Sequence, residues 1–229
     1  MSDSIPVSSA LDEETARAEI YGLLAQLYYA TPAPALLDAL RVAATEAPAA
    51  GAFLEESWRE LVATARAMSD EAVAAEYDSL FGGVGKPEVY LFGSHYLSGF
   101  LNEKSLARLR TDLAALGLAR DETMPDTEDH IAYLCEVMRY LIAGDGPPLA
   151  GDSPPGGQRS VGAHNLSGDD VEVANLARQA EFFAVHVQPW LAALCDAIAS
   201  HPKARFYAAL AGFTRAFANV ETQGFDLLD

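Results

Sequence analysis

The chain has 229 residues, half of them hydrophobic, with 15 basic against 33 acidic side chains and a formal charge of −18 when histidine is neutral. That balance argues against nucleic-acid or anionic-membrane binding and favours basic partners, though net charge also serves solubility. Two cysteines, Cys135 and Cys195, do not make a disulfide framework.

No apolar run reaches the roughly 20 residues of a bilayer span, and Met1-Ser2-Asp3-Ser4 lacks the basic and apolar regions of an export signal. A cytoplasmic protein is expected. Alanine and leucine dominate and β-branched residues are thin, which favours helix.

After a tail expected to be disordered over 1–11, Ile20, Leu23, Leu24, Leu27 and Tyr28 form one face of an amphipathic helix, stopped by Thr31-Pro32. A second helix is predicted from Ala33 to Glu46. A third runs from Gly51 to Ala67 with Phe53, Leu54, Trp58, Leu61 and Val62 inward. Ser69 caps a fourth that carries Val73, Tyr77, Leu80 and Phe81 and ends at Gly82-Gly83.

Val84 to Ser94 reads as a loop with an exposed Val89-Tyr90-Leu91-Phe92. Helical pattern returns at Tyr96–Leu101, at Leu106–Leu116 with Gly117 as stop, and on the stripe Ile131, Leu134, Cys135, Met138, Leu141 and Ile142.

From about 144 to 170 the chain turns proline- and glycine-rich. This exceeds the roughly 12–15 residues of an ordinary connection, so a mobile insertion is expected. Helix resumes through Val173, Leu176 and Phe183, breaks at Pro189, continues from Trp190 to Ile198, and closes with Phe206, Leu210, Phe213, Phe217 and Val220. Neither an internal repeat nor a strand-type alternation is found. The expectation is a single all-α domain over 12–229, a bundle of about nine helices.

Three segments could carry function. Asp126-Thr127-Glu128-Asp129-His130 opens a helix after Pro125. Local physics accounts for much of it: Asp126 can cap, Asp129 takes a capping-box-like position, and anions suit a helix N-terminus. Capping does not require His130. A histidine beside carboxylates can be a base, a ligand or an interaction handle.

Tyr77-x-x-Leu80-Phe81-x-Gly83 reads equally as core packing and a glycine cap. Phe182-Phe183 with His186 and Pro189-Trp190 reads as core, His186 being a hydrogen-bonded packing residue. A competing class is an all-α metal-dependent enzyme in which Glu128, Asp129, His130 and His95 or His186 converge on an ion. The helix-spaced second histidine of such sites is missing. An acidic interaction module is a third class.

In this order, the segments resemble the TorD/DmsD/NarJ family of redox-enzyme maturation chaperones. That family's Tyr-x-x-Leu-Phe-x-Gly motif is matched by Tyr77, Leu80, Phe81 and Gly83. Its Glu-Pro-x-Asp-His motif is matched at Asp129-His130, with Asp126 and Thr127 in the first two places. Gly93-Ser94-His95-Tyr96-Leu97 and the Phe-Phe…His…Pro-Trp run also look like the family pattern.

The resemblance implies a chaperone and no catalysis, no cofactor and no bound metal. It implies a molybdoenzyme catalytic subunit or its twin-arginine leader as partner, bound before export, with monomer as the default and a domain-swapped dimer conceivable. The peptide-binding surface it suggests comprises Tyr77, Leu80, Phe81, Gly83, Tyr90, Phe92, Asp126, Glu128, Asp129 and His130: apolar faces rimmed by carboxylates.

Overall fold

The computed structural model describes residues 7–45, 52–82, 86–98, 103–120, 125–143 and 168–227. Ten α-helical segments follow in chain order: α1 (Val7–Tyr29), α2 (Pro34–Val42), α3 (Ala52–Ala67), α4 (Asp70–Leu80), α5 (Gly93–Ser98), α6 (Glu103–Ala115), α7 (Ile131–Ala143), α8 (Gly168–Phe182), α9 (Gln188–Ala199) and α10 (Phe206–Asp226). A π-helical turn, Phe183–Val187, joins α8 to α9 without interruption. Among the described residues the fold is all-α, and its one sheet-like feature is an isolated antiparallel bridge between Phe92 and His130.

The apolar stripe read along α7 is the stripe that is buried. It packs on α1, whose Tyr21, Leu24, Leu27 and Tyr28 are inside. α10 lies against α3, α4 and α9, and α5 against α6 and α9. One continuous core cluster collects side chains from α1 through α10. α1 starts ahead of the boundary at 12 that the sequence suggests, and the proline- and glycine-rich 144–167 stretch falls outside the described residues.

Several helix ends follow from local chemistry. Ser69 accepts the Ala72 N–H at the start of α4. Gly117, at φ +75°, ends α6 while the Leu118 N–H reaches back to the Leu113 carbonyl. α2, expected to reach Glu46, stops at Val42 because side chains take over its carbonyls: Arg66 donates to those of Arg41 and Ala43, and the Trp58 indole to that of Ala44.

Phe53, expected inward, is 81% exposed. Leu54, Trp58, Leu61 and Ala65 define the inner face of α3 at spacings of four, three and four. Phe53 stands about 100° off that face.

Pro189 does not break the helix. The Gln188 N–H bonds the Phe183 carbonyl, five residues back, and this wider turn lets a residue without an N–H follow at the start of α9. The Trp190 indole then donates to the His186 carbonyl at 2.7 Å. Through this join, Asn175–Ala199 becomes a helix long and apolar enough to cross a membrane, which the broken reading excluded. Half of its most apolar window is buried, and Phe183, Trp190, Leu194 and Ile198 are core residues. Core membership accounts for its composition.

Two buried carboxylates organise helix starts from a distance. Glu76 on α4 accepts the N–H groups of Arg205, Phe206 and Tyr207 at 2.8, 3.1 and 2.8 Å, capping α10. On the inner face of α1, Tyr21 and Arg17 hold Glu221 of α10. The other such cap, Asp129, belongs to the candidate site.

Candidate functional site

The segment leading into α5 is laid against the segment leading into α7. The Ile131 N–H donates to the Leu91 carbonyl at 2.9 Å, and the Gly93 N–H donates to the Asp129 carbonyl at 3.0 Å. Asp129 is buried. Its Oδ2 accepts the Ser94 N–H at 2.8 Å and its Oδ1 accepts the Thr127 hydroxyl at 2.6 Å. The carboxylate therefore sits at the first turn of α5, where unpaired N–H groups favour negative charge.

The α7 start differs from the expected one. Asp126 is not its cap. The helix begins at Ile131, and His130 is the capping residue: its Nδ1 accepts the Ala132 N–H at 3.2 Å. The sequence suggests a carboxylate for this role, but Asp129 is already committed to α5. An Nδ1 acceptor requires the ring proton to sit on Nε2. Burial holds the imidazole neutral, its pKa pushed down to about 4 against the opposing pull of Asp126 and Asp129. The ring meets Phe92 edge-on at 5.0 Å and Tyr133 at 5.5 Å.

The other motif lies beside this one. Leu80 is fully buried and its carbonyl accepts the Val89 N–H at 2.9 Å. Val89 and Leu91 are core residues, so the expected exposed Val89–Phe92 strip is corrected to alternate faces: Tyr90 and Phe92 are half-buried, and the other two anchor the segment. Alternation in extended backbone explains it.

Phe81 packs edge-on against Tyr207 at 4.9 Å. Tyr77 contacts both rings and donates its hydroxyl to the Tyr29 carbonyl at 2.9 Å, at the end of α1. Its pKa is pushed up to about 12, mainly by burial and then by the charges of Asp126 and Asp78. Gly83 lies outside the described residues.

The candidate residues thus divide. Tyr77, Phe92, Asp126 and His130 come together: the Asp126 charge is felt at Tyr77, His130 and Tyr133. Leu80, Asp129 and His130 are interior and hold the surface in place. Glu128, expected on the rim, is held by Arg110 through two bonds of 2.9 and 3.0 Å, which lower its pKa. Tyr90 stacks on His95 with ring centroids 4.1 Å apart.

Tyr29 and Tyr133, not singled out in the sequence, complete the surface with ring centroids 5.9 Å apart. Their signal was weak: Tyr133 is one position off the α7 apolar stripe, and Tyr29 is the last residue before a helix stop.

The histidines are engaged separately. His95 is stacked on Tyr90, His130 caps α7, and the His186 ring shares a 2.8 Å hydrogen bond with Asp112. Among the described residues no three of His, Cys, Asp and Glu gather in a cluster fit for a metal ion. Cys135 and Cys195 are buried free thiols, with Cys195 pushed up to about 11 by burial.

The family model described as nitrate reductase delta subunit matches residues 47–196. That span runs from α3 into α9 and contains both motifs of the candidate site. No curated protein matches the chain.

Proposed function

Given that the chain belongs to the nitrate reductase delta subunit family, a family of non-catalytic molybdoenzyme-assembly chaperones, we propose that it binds the N-terminal, twin-arginine leader region of a molybdenum oxidoreductase's catalytic subunit. It holds that subunit for cofactor insertion before export and acts in the cytoplasm, as the TorD and DmsD chaperones do.

The observation that carries this reading is the pairing of Leu91–Gly93 with Asp129–Ile131, which brings Phe92 alongside His130. Around it lie half-buried aromatic faces and the carboxylate of Asp126. Such a surface suits a peptide that offers positive charge next to apolar side chains. The acidic net charge speeds the encounter. None of these groups needs chemistry beyond contact, in keeping with a non-catalytic role.

Isothermal titration of a synthetic leader peptide tests the reading. Phe92→Ala and Asp126→Asn each weaken binding about tenfold, on the scale of one lost interface anchor. These half-buried positions are better probes than Asp129 and His130, whose loss disturbs the fold. Wild-type affinity in both variants removes this surface from consideration.

A further inference from the structure

Resting on the reading of this surface as a peptide site, we infer that Glu88, His201 and Lys203 are positioning residues for it. They form a clasp that holds the strip bearing Tyr90 and Phe92 in the attitude the bound segment needs.

The clasp closes on one carboxylate. Glu88 lies 113 and 115 residues from its two partners in the chain. Its Oε1 accepts from the Lys203 ammonium at 2.7 Å and its Oε2 shares a 2.7 Å hydrogen bond with His201 Nε2. A third bond sets the tautomer: His201 Nδ1 accepts the Lys203 N–H at 3.3 Å, so the ring proton sits on Nε2 and points at Glu88. Both carboxylate oxygens are engaged. The Lys203 ammonium first, and then the imidazole, hold the Glu88 carboxyl below its ordinary pKa.

The far side of the clasp is a fixed point. His201 and Lys203 belong to the short connection from α9 to α10, with Pro202 between them. The Ser200 and His201 N–H groups return to the carbonyls of Asp196 and Ile198, and that of Ala204 to the His201 carbonyl. The next three N–H groups, from Arg205 to Tyr207, are those gathered by Glu76.

The near side is the strip. Burial alternates along it: Val89 and Leu91 are core residues, whereas Glu88, Tyr90 and Phe92 are not. Backbone bonds to the α7 start hold its Phe92 end, and the Tyr96 hydroxyl donates to the Tyr90 carbonyl at 2.8 Å. The clasp holds the opposite end. An exposed ion pair adds little to global stability. Three bonds meeting at the head of a short segment still narrow the poses its aromatic faces sample, and ordering completed in the free protein appears as affinity.

Lys203→Met separates this role from direct electrostatics by the sign of its effect. Removing a cation from an acidic protein tightens a basic peptide if charge alone matters, whereas opening the clasp weakens it. The probe is a synthetic peptide with two adjacent arginines followed by an apolar run. Titration is expected to show about fivefold weaker binding for Lys203→Met and for Glu88→Ala. The double variant loses no more than the weaker-binding single one, because both act through one clasp. Lys203→Arg keeps wild-type affinity. Without peptide, amide exchange at Val89 quickens about fivefold in the two single variants while their urea midpoints stay at the wild-type value.

Affinity of Lys203→Met at or above wild type, additive losses in the double variant, unchanged exchange at Val89, or a fall in the urea midpoints that accounts for the lost affinity each overturns the clasp and leaves peptide binding intact. No binding of the peptide by the wild-type chain overturns the peptide-site reading and the positioning role with it, whatever the exchange shows.

Discussion

Asp129 and Ser94 are 35 residues apart in the chain, yet the carboxylate of one accepts the backbone N–H of the other at 2.8 Å inside the protein. This bond and the Thr127 hydroxyl occupy both carboxylate oxygens. The acid of an Asp-His pair that could serve chemistry is thereby spent on structure.

Asp129→Ala is expected to destabilise the protein by about 2–3 kcal/mol, the range for a lost charge-assisted hydrogen bond with its donor left buried. Urea unfolding measures it. Amide exchange should localise the loss to Leu91–Ser94 and the α7 start. A protein as stable as wild type would mean that the α5 cap is dispensable.

His130 gives the stability a defined pH dependence. The imidazole has a pKa of about 4 in the folded chain against an ordinary 6.5. A depressed value means the unfolded chain takes up the proton first as pH falls. The contribution is whole above pH ~6.5 and is drawn down toward pH ~4, by about 3 kcal/mol in all. His130→Asn, which still caps and does not titrate, should flatten the wild-type profile between those limits. Unfolding curves at pH 7 and 4.5 compare the two, and parallel profiles would contradict the assignment.

Glu76 was not singled out in the sequence, although its position marks it. It falls three residues after Val73 and four before Leu80, so it lies on the buried face of α4. Only the fold reveals that three N–H groups of the α10 start converge on it. Glu76→Ala should cost about 2–3 kcal/mol. Glu76→Gln, which keeps one carbonyl oxygen, should cost roughly half as much.

Gly93 lies so close to the Trp190 indole that a Cβ there would come within 2.8 Å of Nε1 and Cε2. Trp190 is fully buried and tethered to the His186 carbonyl. Gly93→Ala should therefore displace one partner, lower stability by about 1–3 kcal/mol, and shift indole emission to the red in a Trp58→Phe background. Unchanged emission would show that the α5 backbone yields instead.

What was legible follows period and local chemistry. The α7 stripe, the Ser69 cap and the Gly117 stop depend on residues a few positions apart, and each stands as read. The long-range assignments were hidden for the same reason. Nothing near Asp129 indicates that its partner is Ser94, and a local rule gives its helix the wrong cap. Val89 to Phe92 read as an exposed strip because the residues that bury two of its side chains come from elsewhere in the chain. Of the peptide-binding candidates, Tyr77, Phe92 and Asp126 keep their surface role as proposals; Leu80, Asp129 and His130 are understood as its scaffold.

The π-turn at Phe183–Val187 has an angular consequence. One residue beyond the α-helical count rotates everything after it by about 100°. α8 can thus mesh with α7 while α9, on the same unbroken axis, meshes with α5 and α10. Chain length in this turn works as a phase setting between two halves of the interior. Removing any single residue from 183–187 would leave composition and helicity nearly unchanged, yet put Trp190, Leu194 and Ile198 out of step with the partners they were cut to meet.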